Sequence, residues 1–449
     1  MEKRSKIKTF PFGGVHPPDL KHSAQRPIES LPLPTTVSIP VLQHFGAPSQ
    51  PIVKVGDKVK AGQVIAQAQG FLSVNIHATI SGTVTRIDEV MDVSGYKRPA
   101  ITINAEGEEW VEGVDLSRAL DRNIRLNREE IVKKVQQDGL VGLGGAGFPV
   151  HVKLTPVAGK QADILLINGA ECEPYLTCDH RLMIEKGPEI LVGVLILMKA
   201  LNVAKAVIGV ESNKVDAIAH LTAIARDFDG IKIVTLQTRY PQGAEKQFIE
   251  ALTGRQVPVG GLPLDAKCVV QNIATAFAVY ESVQKNKPLI ERVVTVAGED
   301  LKKPSNFRVR IGTSMAYLIE AAGGLPEGTG KIISGGPMMG KALNMIDIPV
   351  VKTTSGILVF GQEKSRRDPV LNCIRCARCV AHCPLGLEPY LLMNLSENER
   401  FDDAEREMAM NCCECGTCAY VCPSKRPLLD YIRLAKTFIT QKRKEKAAR

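Results

Sequence analysis

The chain has 449 residues, 44% of them hydrophobic, 5% aromatic and 23% charged, with a formal net charge of +9. That length predicts two to four domains, and the apolar share is ordinary for a soluble globular protein with sizeable cores. The longest apolar run, Ile190 to Met198, stops at Lys199, far short of the roughly 20 residues of a bilayer span. With no apolar stretch behind the N-terminal charges, the reading is a cytoplasmic chain that meets a membrane only through a partner. Aromatic and basic residues are not interleaved, so no nucleic-acid partner is expected.

Residues 1–36 read as an N-terminal extension containing FPFGGVHPPDLK. Turn glycines and alternating apolar residues then predict strands over residues 37–106. The stretch from Val53 to Ile87 resembles the two hairpins of a lipoyl or biotinyl domain, which implies a barrel-sandwich fold. Its tip, AQGFLSVN, holds no lysine, so no swinging arm is expected there. Residues 107–130 read as a linker.

An alternating α/β sheet is predicted over residues 131–290. The helical REEIVKKVQQDG is followed by GLVGLGGAGFPVHVKL, Gly139 to Leu154. A dinucleotide fingerprint should follow a strand, and this glycine loop follows a helix. Without Cβ atoms its backbone can still approach a phosphate or a flat ring. The buried-strand pattern ADILLINGAECEP ends in a polar cluster, the ligand-binding end of such a sheet.

These two motifs resemble the flavin-binding subunit of respiratory complex I. Gly142, Gly144, Gly145, Ala146, Gly147, Phe148, Pro149 and Lys153 match its first motif, and Asn168, Glu171, Glu173 and Pro174 its second. VVQNIATA places Asn272 on that family's flavin-contacting asparagine, and Glu245 survives near the expected nucleotide surface. The resemblance implies a Rossmann-like fold in which Lys153 and the loop amides hold the phosphate of non-covalent FMN and Glu173 faces nicotinamide. Leu143 and Ala170 stand where that family has arginine and aspartate.

Residues 291–345 alternate apolar residues and show one amphipathic helix from Ser314 to Ala322, similar to the β-grasp ligand-binding module. SGGPMMG within them reads as a tight loop packing two methionines. Residues 346–366 read as connecting strands. Residues 367–430 carry the strongest signal, because nine of the twelve cysteines lie between Cys373 and Cys422. Cysteines in a cytosolic chain are thiols or metal ligands rather than disulfides. Cys373, Cys376, Cys379 and Cys383 follow C-x2-C-x2-C-x3-C with Pro384 next; Cys412, Cys415, Cys418 and Cys422 repeat it with Pro423. That is the spacing of bacterial two-cluster ferredoxins, whose fourth cysteine serves the other cluster. It assigns one 4Fe-4S cluster to Cys373, Cys376, Cys379 and Cys422, and the second to Cys412, Cys415, Cys418 and Cys383. Zinc sites pair their cysteines at wide spacing instead. Cys413 is surplus, and Cys172, Cys178 and Cys268 read as buried thiols. Residues 431–449 read as a basic tail with a solvated, frayed end.

The order of barrel-sandwich, flavin domain, β-grasp module and α-helical twin-cluster domain defines a multidomain α/β chain. It resembles the C subunit of the Rnf electron-transport complex along essentially the whole length. The resemblance implies a peripheral subunit on the cytoplasmic face of the cell membrane. It would have NAD(H) as substrate, and the other Rnf subunits as partners, including a ferredoxin-like cluster-bearing one. Electrons would pass between FMN and two 4Fe-4S clusters, coupled to ion translocation by subunits other than this one, which has no span. Two alternatives stay open: a soluble flavin and iron–sulfur NADH oxidoreductase like cobalamin reductase, and a redox-silent assembly scaffold.

Overall fold

The computed structural model describes residues 7–155, 157 and 159–447. Near the N-terminus, a four-stranded antiparallel sheet orders Thr36–Pro40, Lys97–Ala105, Gly82–Met91 and Lys58–Val59. A three-stranded sheet of Gln50–Pro51, Val64–Gln67 and Ile76–His77 stands with it. Val37, Ile39, Ile65, Ile76, Val84, Ile101 and Ile103 close one core between them. Their period-two spacing puts β-branched side chains inward, where they suit a pleated surface.

The next unit is a parallel sheet in the order Ile231–Leu236, Ala206–Glu211, Ile164–Gly169, Cys268–Asn272. The apolar run around Ile190 lies in the helix Gly187–Leu201, which is buried on most of its surface. It packs on Ile273–Lys285 so closely that a Cβ on Gly193 would sit 1.9 Å from the Ala276 carbonyl oxygen. A helix apolar on nearly every side belongs in a core, and this one centres the largest hydrophobic cluster of the described residues.

The third unit is a six-stranded sheet in the order Ile28–Ser30, Ser305–Arg310, Glu291–Ala297, Gly356–Gly361, Thr329–Ser334, Lys341–Ala342. Two expectations shift here. Gly356–Gly361 does not connect domains; it is an inner strand, parallel to Glu291–Ala297 and antiparallel to Thr329–Ser334. Ile28–Ser30 of the N-terminal extension forms the sheet's edge.

The cysteine-rich segment folds into short helices packed on Leu428–Ala447. The basic tail is therefore no frayed end over its described part. Ile432, Ala435 and Ile439 repeat at helical spacing and are buried, and the Phe438 and Phe401 rings stack at 4.5 Å. Lys442 pairs with Asp402 and Arg443 with Glu405, so part of its charge is already matched within the chain.

The N-terminal extension ties these units together. Val15 bridges Tyr240 in antiparallel fashion, and Gly14 donates its N–H to the His382 carbonyl at 2.9 Å. The Arg239 guanidinium donates to the carbonyls of Phe10 and Gly13 and lies 4.3 Å over the Phe10 ring. Gly13 takes φ +70° against the Cys383–Pro384 peptide, where a Cβ would meet three backbone atoms at 2.7 Å. Replacing Gly13 with valine should cost about 1–3 kcal/mol in strain and lower the unfolding temperature of the cluster-bearing unit. Differential scanning calorimetry checks this, and an unchanged profile would show that the strap does not brace Cys383.

Candidate cofactor sites

The parallel sheet reverses its winding between Ile164–Gly169 and Cys268–Asn272, the place where open α/β sheets bind ligands. Asn168, next to last in one strand, and Asn272, last in the other, are register partners. Asn168 donates from Nδ2 to the Gly243 carbonyl at 2.7 Å and accepts the Ala170 N–H at 3.1 Å. Asn272 caps Ile273–Lys285 by accepting the Ala274 N–H at 2.8 Å, while its Nδ2 donates to Asp179 at 2.6 Å.

The glycine loop closes over this end between the helices Arg128–Gln137 and Val150–Leu154. Gly142 N–H bonds the Phe148 carbonyl at 2.8 Å, and Leu143 N–H bonds Thr275 Oγ1 at 2.9 Å. Leu143, where arginine was the motif residue, is buried, and its carbonyl accepts from the buried Arg292 guanidinium at 3.2 Å. Between these anchors Gly144, Gly145 and Ala146 are exposed, and their amides donate to no protein group among the described residues. Gly144 lies against Asn272, 3.2 Å from a built Cβ to the asparagine's Cβ, and Gly145 adopts φ +126° facing open space. Gly147 is buried, its carbonyl accepting from Phe45 N–H at 2.9 Å.

Lys153, from the helix after the loop, donates to Glu245 Oε1 at 2.8 Å and to the Val270 carbonyl at 3.0 Å. An ammonium has three donors, so one remains. Free amides beside a lysine at the switch point are the donor set that a phosphate needs, so these residues fit FMN.

The polar segment after Asn168 is held from beneath by two lysines, the half-buried Lys21 and the buried Lys214. The Lys21 ammonium donates to the carbonyls of Glu171, Glu173 and Leu176 at 2.9, 2.8 and 2.7 Å. Lys214 donates to the Ala170 carbonyl at 2.6 Å. Glu171 turns its carboxylate to the N–H groups of Asp179 and His180, at 2.8 and 3.2 Å. Glu173 is committed elsewhere: its carboxylate accepts the N–H groups of Met338 and Met339, both at 2.9 Å. Burial pushes its pKa up to about 7, against those hydrogen bonds, which pull it down. The SGGPMMG loop thus works through its amides. Met338 packs on Tyr240 and Cys415, while Met339 is exposed.

The two cysteine combs adopt matching backbones. Left-handed residues fall at equal offsets, Arg375 with Glu414 and Ala377 with Gly416. Each is followed by a short helix, Arg378–Ala381 or Thr417–Tyr420. Cys383, Cys412, Cys415 and Cys418 line one small pocket walled by Leu385, Leu387, Leu392 and Ile432. Four thiols around an apolar pocket fit a cubane cluster. Cys413 also borders this pocket. Cys379 and Cys422 pack together beside Met393 and Tyr431, with the chain before Cys373 tied in by Leu371 N–H to the Ser424 carbonyl at 3.0 Å. Cys373 and Cys376 are exposed; Cys178 and Cys268 are buried, and Cys172 is half-buried.

Sequence reasoning missed three residues. Lys21 has no periodic signal, Asp179 looks like an ordinary helix-start acid, and Tyr240 looks like a turn residue before Pro241. Yet Tyr240 is 1% exposed and donates its hydroxyl to the Cys415 carbonyl at 2.9 Å, with Glu173 Oε1 at 3.4 Å. One side chain therefore joins the flavin-type sheet, the SGGPMMG loop and the inner cysteine pocket.

Comparisons with known proteins agree along the chain. Residues 8–108 match the RnfC barrel sandwich hybrid domain, 135–281 the Nuo51 FMN-binding domain, 293–342 the SLBB domain and 364–423 the 4Fe-4S dicluster domain. The chain therefore has FMN and 4Fe-4S clusters as its cofactors. The C subunit of a proton-translocating ferredoxin:NAD(+) oxidoreductase complex from Clostridium ljungdahlii is 47% identical, over 96% of this chain and 94% of that protein. Its counterpart in an Na(+)-translocating complex from Acetobacterium woodii is 43% identical, over 96% and 98%. Among solved structures, an NAD+-reducing NiFe hydrogenase in its H2-reduced state aligns with a TM-score of 0.51 at 18% identity. The alignment covers 69% of this chain and 62% of that one, a likeness of fold.

Two outcomes follow from this geometry. Lys153→Met removes a charge-assisted hydrogen bond worth roughly 1.5–3 kcal/mol, so FMN should bind about one to two decades more weakly by equilibrium dialysis. Unchanged retention would take Lys153 out of the site. Asp179 is buried beside Glu171, and burial first and that carboxylate second push its pKa from 3.8 to about 7. The folded chain keeps this proton to higher pH than the unfolded chain, so the group's contribution to stability falls as pH rises between those values. Asp179→Asn mimics the protonated acid and should flatten that part of the urea-unfolding profile. An identical slope in the variant would place the titration elsewhere.

Proposed function

Since the chain belongs to the family of C subunits of ion-translocating ferredoxin:NAD(+) oxidoreductase complexes, we propose that it is the NAD(H)-facing subunit of such a complex. On this reading it lies peripherally on the cytoplasmic face of the membrane and passes electrons between FMN and two 4Fe-4S clusters. Ion movement belongs to its partners, among them a ferredoxin-like cluster-bearing subunit. Among the described residues no helix is long and apolar enough to cross a membrane.

The observation that carries the proposal is the donor set at the switch point, the exposed amides of Gly144, Gly145 and Ala146 with half-buried Lys153, in a unit whose Tyr240 bonds the Cys415 carbonyl beside the pocket of Cys383, Cys412, Cys415 and Cys418. FMN supplies the conversion between the two-electron exchange of a nicotinamide and the single-electron exchange of a cluster. This chain's residues do the placing. Lys153 and the loop amides would fix the phosphate, and Asn168 and Asn272 would floor the cleft. Lys21 holds the segment carrying Glu171 and Glu173, and the apolar walls around the inner thiols keep water from that pocket. Glu173, bound to the Met338 and Met339 amides, would set how closely the SGGPMMG loop covers the nicotinamide side.

In anaerobic, purified full-length chain loaded with FMN, NADH should bleach the flavin band and iron should number about eight per chain. Cys412→Ser should lose about half of that iron, and Cys413→Ser should lose none. A flavin band indifferent to NADH would favour the scaffold alternative. Iron loss from the Cys413 variant but not the Cys412 variant would break the ligand assignment. Coexpressed with its partners the chain should sediment with membranes, and expressed alone it should not. Detergent-dependent membrane insertion of the lone chain would contradict peripheral attachment.

A further inference from the structure

The barrel-sandwich domain supplies none of the groups that hold flavin or clusters, and its hairpin tip lacks the lysine that would make it a carrier. That tip nevertheless has a fixed address. His151, in the helix after the glycine loop, bonds through Nε2 to the Phe71 carbonyl at 2.9 Å, and its ring meets the Phe71 ring edge-on at 5.6 Å. The neighbouring loop of the same domain follows suit. Phe45 N–H holds the Gly147 carbonyl, the Phe45 ring lies 5.8 Å from that of Phe148, and Ala47 N–H bonds the Leu72 carbonyl at 3.1 Å. Two loops of one domain are thus packed on each other and onto the rim of the glycine loop of another.

What they present there is apolar and open. Phe45 is 58% exposed, Phe71 56% and Leu72 38%. Leaving two phenyl rings in water at a cleft mouth wastes the largest hydrophobic contribution a side chain offers, unless a flat partner covers them. These three side chains carry no charge. His44 and His151, which back them, are held neutral by burial, His44 with its pKa pushed down to about 4. A phosphate would find no countercharge in these two imidazoles, whereas a heteroaromatic base would find a stacking platform.

We propose that Phe45 and Phe71 form the outer wall of the nucleotide site and stack on the adenine base of NAD(H). The inference rests on the function proposed above. If the nicotinamide reaches the cleft floored by Asn168 and Asn272, the dinucleotide's other end lies outward, at the rim where these rings stand. The domain that resembles a carrier of a mobile arm has then become a fixed part of a binding site.

The test uses the full-length chain with its flavin and clusters and two probes: ADP-ribose, which keeps the adenine, and reduced nicotinamide mononucleotide, which lacks it. Phe45→Ala and Phe71→Ala should each weaken ADP-ribose binding by about tenfold in titration calorimetry, the scale of one lost base–aromatic stack. Flavin reduction by the mononucleotide should be unchanged, and Phe71→Trp should keep the wild-type affinity. Wild-type ADP-ribose affinity in both alanine variants would overturn the inference, and so would a parallel loss of reduction by the mononucleotide, which would mark a merely structural role. Normal ADP-ribose binding with failed attachment to the membrane complex would make the patch a subunit interface and equally overturn it. A wild-type flavin that neither NADH nor the mononucleotide reduces would instead remove the oxidoreductase reading itself.

Discussion

The arrangement of both cofactor regions depends on one lysine ammonium. Lys21 sits beneath the segment after Asn168 and donates to three of its carbonyls within 2.9 Å. Burial lowers its pKa, with the neighbouring Lys214 acting in the same direction. Carbonyls turned inward from an irregular segment need donors, since an unsatisfied buried polar group costs about as much as a lost hydrogen bond. Lys21 supplies three at once, and so fixes the backbone that carries Glu171 and Glu173. The same strap, a few residues earlier, lays Gly13 against the Cys383–Pro384 peptide. A single stretch of chain thereby positions the polar rim of the flavin-type cleft and one cysteine of the inner pocket.

Tyr240 makes the complementary connection from the sheet side. Its hydroxyl lies between the Cys415 carbonyl and the Glu173 carboxylate, and Glu173 in turn holds the Met338 and Met339 amides. Removing any one member leaves a buried polar partner unsatisfied, which is why such networks specify one relative placement. The inner pocket of Cys383, Cys412, Cys415 and Cys418 is drawn toward the flavin-type sheet by these contacts. Cys373 and Cys376 lie at the surface instead, so the twin combs, alike in backbone, sit in unlike surroundings.

Much of this was legible in the sequence because it rests on short, local patterns. The cysteine spacing, the glycine loop and the asparagines near the strand ends each read within a dozen residues. The two asparagines do meet at the switch point, although more than a hundred residues separate them in the chain. What escaped was long-range. Nothing in PPDLK marks Lys21 as the donor to a segment 150 residues on, and nothing in RYP marks Tyr240 as a bridge. The basic C-terminal stretch was misread because charge masked a helical stripe of Ile432, Ala435 and Ile439. Gly356–Gly361 looked like a connector because sheet order is a tertiary fact that alternation alone does not carry. SGGPMMG was read for its side chains, and its amides turned out to hold Glu173.

On the function proposed above, nucleotide, flavin and clusters form one electron path within this chain. Its most direct test is freeze-quench electron paramagnetic resonance on the anaerobic full-length protein, loaded with FMN and mixed with NADH. Reduced-cluster signals should grow in as the flavin accepts electrons, and reach the intensity that dithionite gives for at least one cluster. A flavin reduced by NADH beside clusters that stay oxidised, yet reduce normally with dithionite, would contradict it.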